Sequence, residues 1–178
     1  MHRREFLLSG AAITGTTAIG AVAFTTASVE REVTIDVASD DQGIIGLAPG
    51  TTNAVELVDG VLTIDTTTDR SDGLNPDGLF VYGNEGNPAS EYAFSVTNND
   101  DDGREFTFGL ESFSLPSAGE LTLTLYDDSG TVLGDLTPDA DQVTSVDPGE
   151  AVYVHIRIDT TGASGGDDLS GTLSIEAQ

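Results

Sequence analysis

Few residues in this chain have the means to do chemistry, and His155 comes first among them. The other histidine is His2, so any Ser/His/Asp triad or histidine-ligated metal in the body of the chain has to use His155. Its neighbours argue against that use. In the run Ala151 to Asp159, the residues Val152, Val154, Ile156 and Ile158 fall on one face and Tyr153, His155 and Arg157 on the other. The imidazole is therefore expected on the outward face of a long strand, with no paired base, nucleophile or second histidine beside it. No His-Glu-x-x-His zinc pattern and no nucleophile elbow is read in the sequence, and the glycines are scattered through turns rather than gathered in a phosphate loop. Cysteine is absent, which removes thiolate catalysis, a disulfide framework and Cys-based zinc sites. The chain reads as a non-enzyme with no catalytic residue.

The acidic loops are the second candidates. Asn98, Asp100, Asp102 and Gly103 mimic the first half of a calcium loop, but the bidentate Glu needed at the twelfth position is Gly109. Asp69, Asp72, Asn75 and Asp77 could gather oxygen ligands around a hard cation. Asp69, Asp72, Asp77, Asp100 and Asp102 are thus the candidate metal ligands, with Ca2+ as the candidate cofactor. The plainer reading is a hydrated acidic surface, because carboxylate number alone does not build coordination geometry.

That acidity is a property of the whole chain. Its 178 residues carry 31 Asp and Glu against 6 basic residues, all of them Arg, for a formal net charge of -25. At ordinary ionic strength such a surface repels itself and opposes the compact state. In molar salt the Debye length falls to roughly 3 Å, so the repulsion is screened while the carboxylates still hold water and ions. The composition suits a protein that works in strong brine. It argues against nucleic acid, because phosphate binding needs Lys and Arg to release counterions, and against anionic lipid for the same reason.

The first residues read as an export address. Arg3-Arg4-Glu5-Phe6-Leu7 matches the head of a twin-arginine signal, and a mild apolar run follows to Phe24, diluted by Ser9, Gly10, Gly15 and Gly20. A permanent membrane helix needs about 20 predominantly apolar residues, so cleavage is expected instead, after Ala23 or, preferably, after Ala27. Residues 1–27 are then a signal segment removed by a signal peptidase. Residues 28–178 remain as one exported domain with no membrane attachment.

Within that domain the dominant period is two. Val33, Ile35 and Val37 alternate with Glu32, Thr34 and Asp36, and the pattern recurs at Tyr92 to Thr97, Phe106 to Glu111, Leu121 to Tyr126, Ala151 to Asp159 and Leu173 to Ala177. Asp59-Gly60 between two apolar runs predicts a hairpin, and Asp147-Pro148-Gly149-Glu150 predicts a turn with Pro preset at its second position. No stretch shows a sustained helical period. About nine to eleven short strands separated by turn residues predict an all-β fold, a single jelly-roll-like β-sandwich.

The strand Arg31 to Ala38, the loop Gly73-Leu74-Asn75-Pro76-Asp77, Phe94-Ser95-Val96-Thr97-Asn98, the run Asp147 to Val154 and the closing Gly171 to Ala177 carry a resemblance. Together with the arginine-led leader, they resemble a family of secreted haloarchaeal proteins. More distantly, the layout is similar to the TasA and camelysin group of biofilm fibre proteins and to archaeal bundling pili. The resemblance implies an exported jelly-roll subunit that polymerises with copies of itself by lending its trimmed N-terminal strand to the next subunit, with Val29, Val33, Ile35 and Val37 as the inserted residues. Camelysin has been labelled a metallopeptidase, and this chain carries no motif to inherit that label. A twin-arginine leader is a departure, since it suggests folding before export. The physical case is independent: a sheet edge presents unpaired amides and carbonyls that accept another strand. The alternative expectation is a monomeric cell-envelope module that binds or adheres through its loops.

Overall fold

A computed structural model describes residues 42–65, 74–165, 167 and 169–178. The expected signal segment 1–27, the donor residues Val29, Val33, Ile35 and Val37 and the candidate ligands Asp69 and Asp72 lie outside the described residues.

The described chain is all-β, with eleven strands and no helix. They are β1 (Ile45–Pro49), β2 (Val55–Val58), β3 (Val61–Ile64), β4 (Leu79–Tyr82), β5 (Phe94–Asn98), β6 (Arg104–Glu111), β7 (Glu120–Tyr126), β8 (Val132–Leu136), β9 (Gln142–Val146), β10 (Ala151–Asp159) and β11 (Thr172–Ala177). A larger sheet runs β1-β5-β10-β7-β8 with β4 also on β10; a smaller one runs β11-β6-β9; β2 and β3 form a separate hairpin. Every pairing is antiparallel, so one face of each strand can be apolar and the other polar.

The alternation read in the sequence is what closes the interior. Phe106, Phe108 and Leu110 of β6 meet Leu121, Leu123 and Leu125 of β7 and Val152, Val154 and Ile156 of β10 in one core, joined by Phe94 and Val96 of β5. Burying each of these side chains contributes about 1.5–3 kcal/mol. Turn chemistry fixes the connections. Asp59 and Gly60 both take positive φ (53° and 83°), as a two-residue hairpin turn demands. Gly149 (φ 77°) follows Pro148, and the Glu150 N–H donates to the Asp147 carbonyl at 3.0 Å. Pro49 ends β1, which among the described residues pairs on one side only, so the missing N–H costs no described ladder bond.

The larger sheet has a break in one of its lines. β4 and β5 run the same way along the same edge of β10, β4 opposite Ile156 to Asp159 and β5 opposite Ala151 to Val154. They are two halves of one line, interrupted at the level of His155 by an excursion of residues 83–93.

Candidate functional site

The two sheets are unequal, and the inequality leaves an opening. β6 is flanked on both sides, by β9 and β11, and its inward residues are buried. β11 has β6 on one side and no described strand on the other. Glu105 and Gln178 exchange both backbone bonds (3.1 and 3.0 Å). Because bonded and non-bonded pairs alternate along an antiparallel ladder, Glu176, Ser174 and Thr172 also bond towards β6, and Leu173, Ile175 and Ala177 turn their N–H and C=O groups to the outer edge. Their side chains face the core but are only half-buried.

Beside this edge lies a cleft of about 710 Å³ between the sheets. Leu121 and Leu123 of β7 and Ile156 and Ile158 of β10 line it from the larger sheet, and Leu110 and Leu173 from the smaller. Phe113 and Leu115, after β6, extend the apolar wall, while Asn75, Ser164 and Asp167 give it a polar rim. Among the described residues the arrangement offers greasy volume beside a row of outward-turned backbone groups, which together fit an extended apolar-alternating peptide.

The histidine is elsewhere and is not on the surface. His155 does sit on the outward face of β10, yet it is only 4% exposed. The 83–93 excursion folds over it: a Cβ on Gly83 (φ 117°) would lie 2.7 Å from the imidazole Cγ, and the Pro88 carbonyl approaches Nε2 at 3.3 Å. The Tyr126 ring packs 4.6 Å away, centroid to centroid. The Pro88 contact places the proton on Nε2, and Nδ1 is buried with no partner. Burial pushes the His155 pKa below the ordinary imidazole value, against the smaller pull of the Pro88 bond and Glu85. Burial likewise raises the phenols of Tyr126 and Tyr153.

The described acidic candidates are held separately: Asp77 by the connection after β10, Asp100 within its own turn, and Asp102 through its backbone carbonyl. Asp77 (φ 53°) accepts the Gly162 N–H at 2.8 Å, and its own N–H donates to the Thr160 carbonyl at 3.1 Å. Asp100 accepts from Arg104 Nε at 2.8 Å and from Arg104 Nη2, and from the Asp101 N–H at 2.7 Å. The Arg104 guanidinium holds the Asp100 carboxyl below the usual carboxylate range. The Asp102 carbonyl accepts from Asn98 Nδ2 at 2.9 Å. Asn98 is fully buried and gives a second bond, 2.9 Å, to the Val146 carbonyl, so its side chain ties β5 to the end of β9. Among the described residues no group of three or more His, Asp or Glu is placed to hold a metal ion.

One further run has a catalytic spacing. Gly162-Ala163-Ser164-Gly165-Gly166 matches the interval of a hydrolase nucleophile elbow, contrary to the expectation that the chain carries none. That motif works only on a strand-to-helix turn, whereas here it lies between β10 and β11, with no helix among the described residues. The Ser164 N–H donates to Asp167 Oδ2 at 2.8 Å, and the contacts of His155 are Gly83, Pro88 and Tyr126. Neither the helix nor a histidine partner of that motif stands beside Ser164 among the described residues.

Compared with protein-family models and with curated proteins, this chain matches none.

Proposed function

We propose that this chain is a secreted structural subunit of an extracellular filament or biofilm matrix in a halophilic archaeon, a jelly-roll-like domain that assembles by passing residues 28–37 to the next copy. The observation that carries the reading is the outer edge of β11, which no described strand pairs, beside an open apolar cleft. A donated strand would bond to the free groups of Leu173, Ile175 and Ala177 and set alternate side chains into the cleft.

The segment with the right pattern is the one that cleavage after Ala27 would free, with Val33, Ile35 and Val37 on one face and Val29 before them. Burying those four side chains contributes about 6–12 kcal/mol at 1.5–3 kcal/mol each. Association costs about 4–15 kcal/mol, so the apolar term alone leaves assembly marginal. Screening of the acidic surfaces then decides the balance, and polymerisation is expected in molar salt and not in dilute buffer.

The test is electron microscopy of the secreted protein in molar salt, with sequencing of its mature N-terminus. Filaments are expected from the full exported chain, and a folded monomer from a chain lacking residues 28–37. Filaments from the truncated chain would remove the donor role. A full exported chain that stays monomeric at every salt concentration would shift the reading to a cell-envelope binding module.

A further inference from the structure

We propose that His155 is a proton-operated latch: a proton added at Nδ1 releases residues 83–92 from the outer face of the larger sheet and uncovers the His155 and Tyr126 rings. This stands apart from the assembly reading and rests on the place of His155 in the sheet. The imidazole lies where the line of β4 and β5 is broken, and the chain that fills the break is what covers it.

In the closed state Nε2–H donates to the Pro88 carbonyl, and Nδ1 is a buried acceptor with no donor. Protonation turns Nδ1 into a second donor and gives the ring a full charge. No acceptor faces Nδ1, and an unpaired charge out of water is far more costly than an unpaired neutral nitrogen. The cover is the part able to yield. Within itself it is held by short-range bonds, Asn84 N–H to the Glu91 carbonyl and Asn87 N–H to the Asn84 carbonyl at 2.8 and 2.9 Å; it meets the rest of the molecule through Gly83, Pro88 and Tyr92, whose carbonyl accepts from the Thr51 N–H at 3.0 Å and stays as the hinge. The strands beneath are bonded on both sides.

The titratable and charged groups around the ring come from the cover and from three strands. Glu85 of the cover favours the protonated ring. From β7, Tyr126 stays a neutral phenol, its pKa raised by burial, and Thr124 opposite His155 does not titrate. On β10 itself Tyr153 is likewise a neutral phenol, and Arg157 is paired with Glu120 at 3.0 Å. From β8, Asp135 accepts from the Thr124 hydroxyl at 2.7 Å. None of these bonds Nδ1.

Linkage sets the sign. The open loop gives His155 an ordinary pKa near 6.5 and the closed loop lowers it, so closure is fully favoured above about 6.5 and weakens as pH falls towards the closed-state value. The experiment is amide hydrogen exchange on the full exported chain at constant molar salt, each rate corrected for the intrinsic pH dependence. Between pH 7.5 and pH 5.0 the protection of the Asn84, Asn87, Ser90 and Glu91 amides should fall, approaching a factor of about ten per pH unit below 6.5 for as long as the closed form stays neutral. Amides of β5 and β10 should hold. His155→Gln, which stays neutral and can still donate to Pro88, should abolish the fall. Unchanged protection in the parent chain, or the same fall in the variant, overturns the latch. If His155→Gln does not fold, NMR titration of the parent decides: the latch requires the His155 ring and the loop amides to share one midpoint, and separate midpoints overturn it.

Discussion

Phe94 and Leu173 both point into the interior, and the molecule treats them oppositely. Around Phe94 the strands are flanked on both sides, and Phe94, Val96, Phe106, Phe108 and Val154 are all at 0% exposure. Around Leu173 one edge strand faces a broader sheet, the side chains stay half-buried, and the cleft opens beside them. The residue types hardly differ between the two regions. What differs is the number of described strands that cover them, so the closed region contributes more to stability than the open one.

The largest effect that tests this contrast is truncation of the two residues. Phe94→Ala should cost about 3–5 kcal/mol, because the surrounding packing cannot collapse into the space. Leu173→Ala removes a side chain that already borders empty volume and should cost about 1 kcal/mol, well under the roughly 2–5 kcal/mol of a sealed leucine. Denaturant unfolding in molar salt measures both. Equal losses would mean that the cleft is covered in solution.

Next comes the polar tie of the closed region. Asn98→Ala leaves the Val146 carbonyl buried beside a vacated amide and takes the Asp100 N–H from its 3.0 Å acceptor. One stranded buried group costs about 1–3 kcal/mol, so a loss of about 2–3 kcal/mol is expected, with the unfolding slope unchanged. A loss below about 1 kcal/mol would show that water reaches Val146, and the contrast would be one of degree only.

Enlargement reverses the direction of the first comparison. Val154→Phe has no room and should cost about 1–3 kcal/mol. Leu173→Phe has the cleft to grow into and should fall within about 0.5 kcal/mol of the parent; under the proposed assembly it should also hinder the donated strand. Filaments unaffected by Leu173→Phe would separate the cleft from assembly.

These contrasts also mark what a sequence can say. Alternation from Tyr92 to Ala177 and the Asp59-Gly60 and Pro148-Gly149 turns are legible, because period and turn chemistry are local and the strands form where they point. The same alternation puts His155 on the outward face, correctly, and implies its exposure, wrongly. The cover comes from Pro88, 67 residues earlier, and no period reports a loop folding back from that distance. Asn98 shows a similar limit. Its spacing to Asp100 and Asp102 imitates a calcium loop, but the amide is committed to the Asp102 and Val146 carbonyls, and only the tertiary structure brings β9 there. The cleft has no local signature, since it arises from six strands facing three.

The smallest effects belong to the exposed turns, where both regions behave alike. Asp127, at the β7–β8 turn, accepts from the Ser129 hydroxyl at 2.7 Å and the Thr131 N–H at 2.7 Å, and Asp159, where β10 ends, accepts from the Thr161 hydroxyl at 2.6 Å. These bonds hold both carboxyls below the usual range, the serine and threonine hydroxyls being the largest causes. A depressed carboxyl adds stability above its unfolded value near 3.9, and that stability is lost as pH falls through the folded value. Asp127→Ala and Asp159→Ala should therefore be slightly less stable than the parent at pH 7, and the gap should close below about pH 4. Thermal unfolding from pH 7 to pH 3 at fixed salt reads it. Because both groups are solvent-exposed, the two gaps should be similar although one turn lies beyond the closed core and the other beside the cleft. A gap that persists in acid at Asp159 alone would mean that its carboxyl orders the cleft rim by geometry rather than by charge.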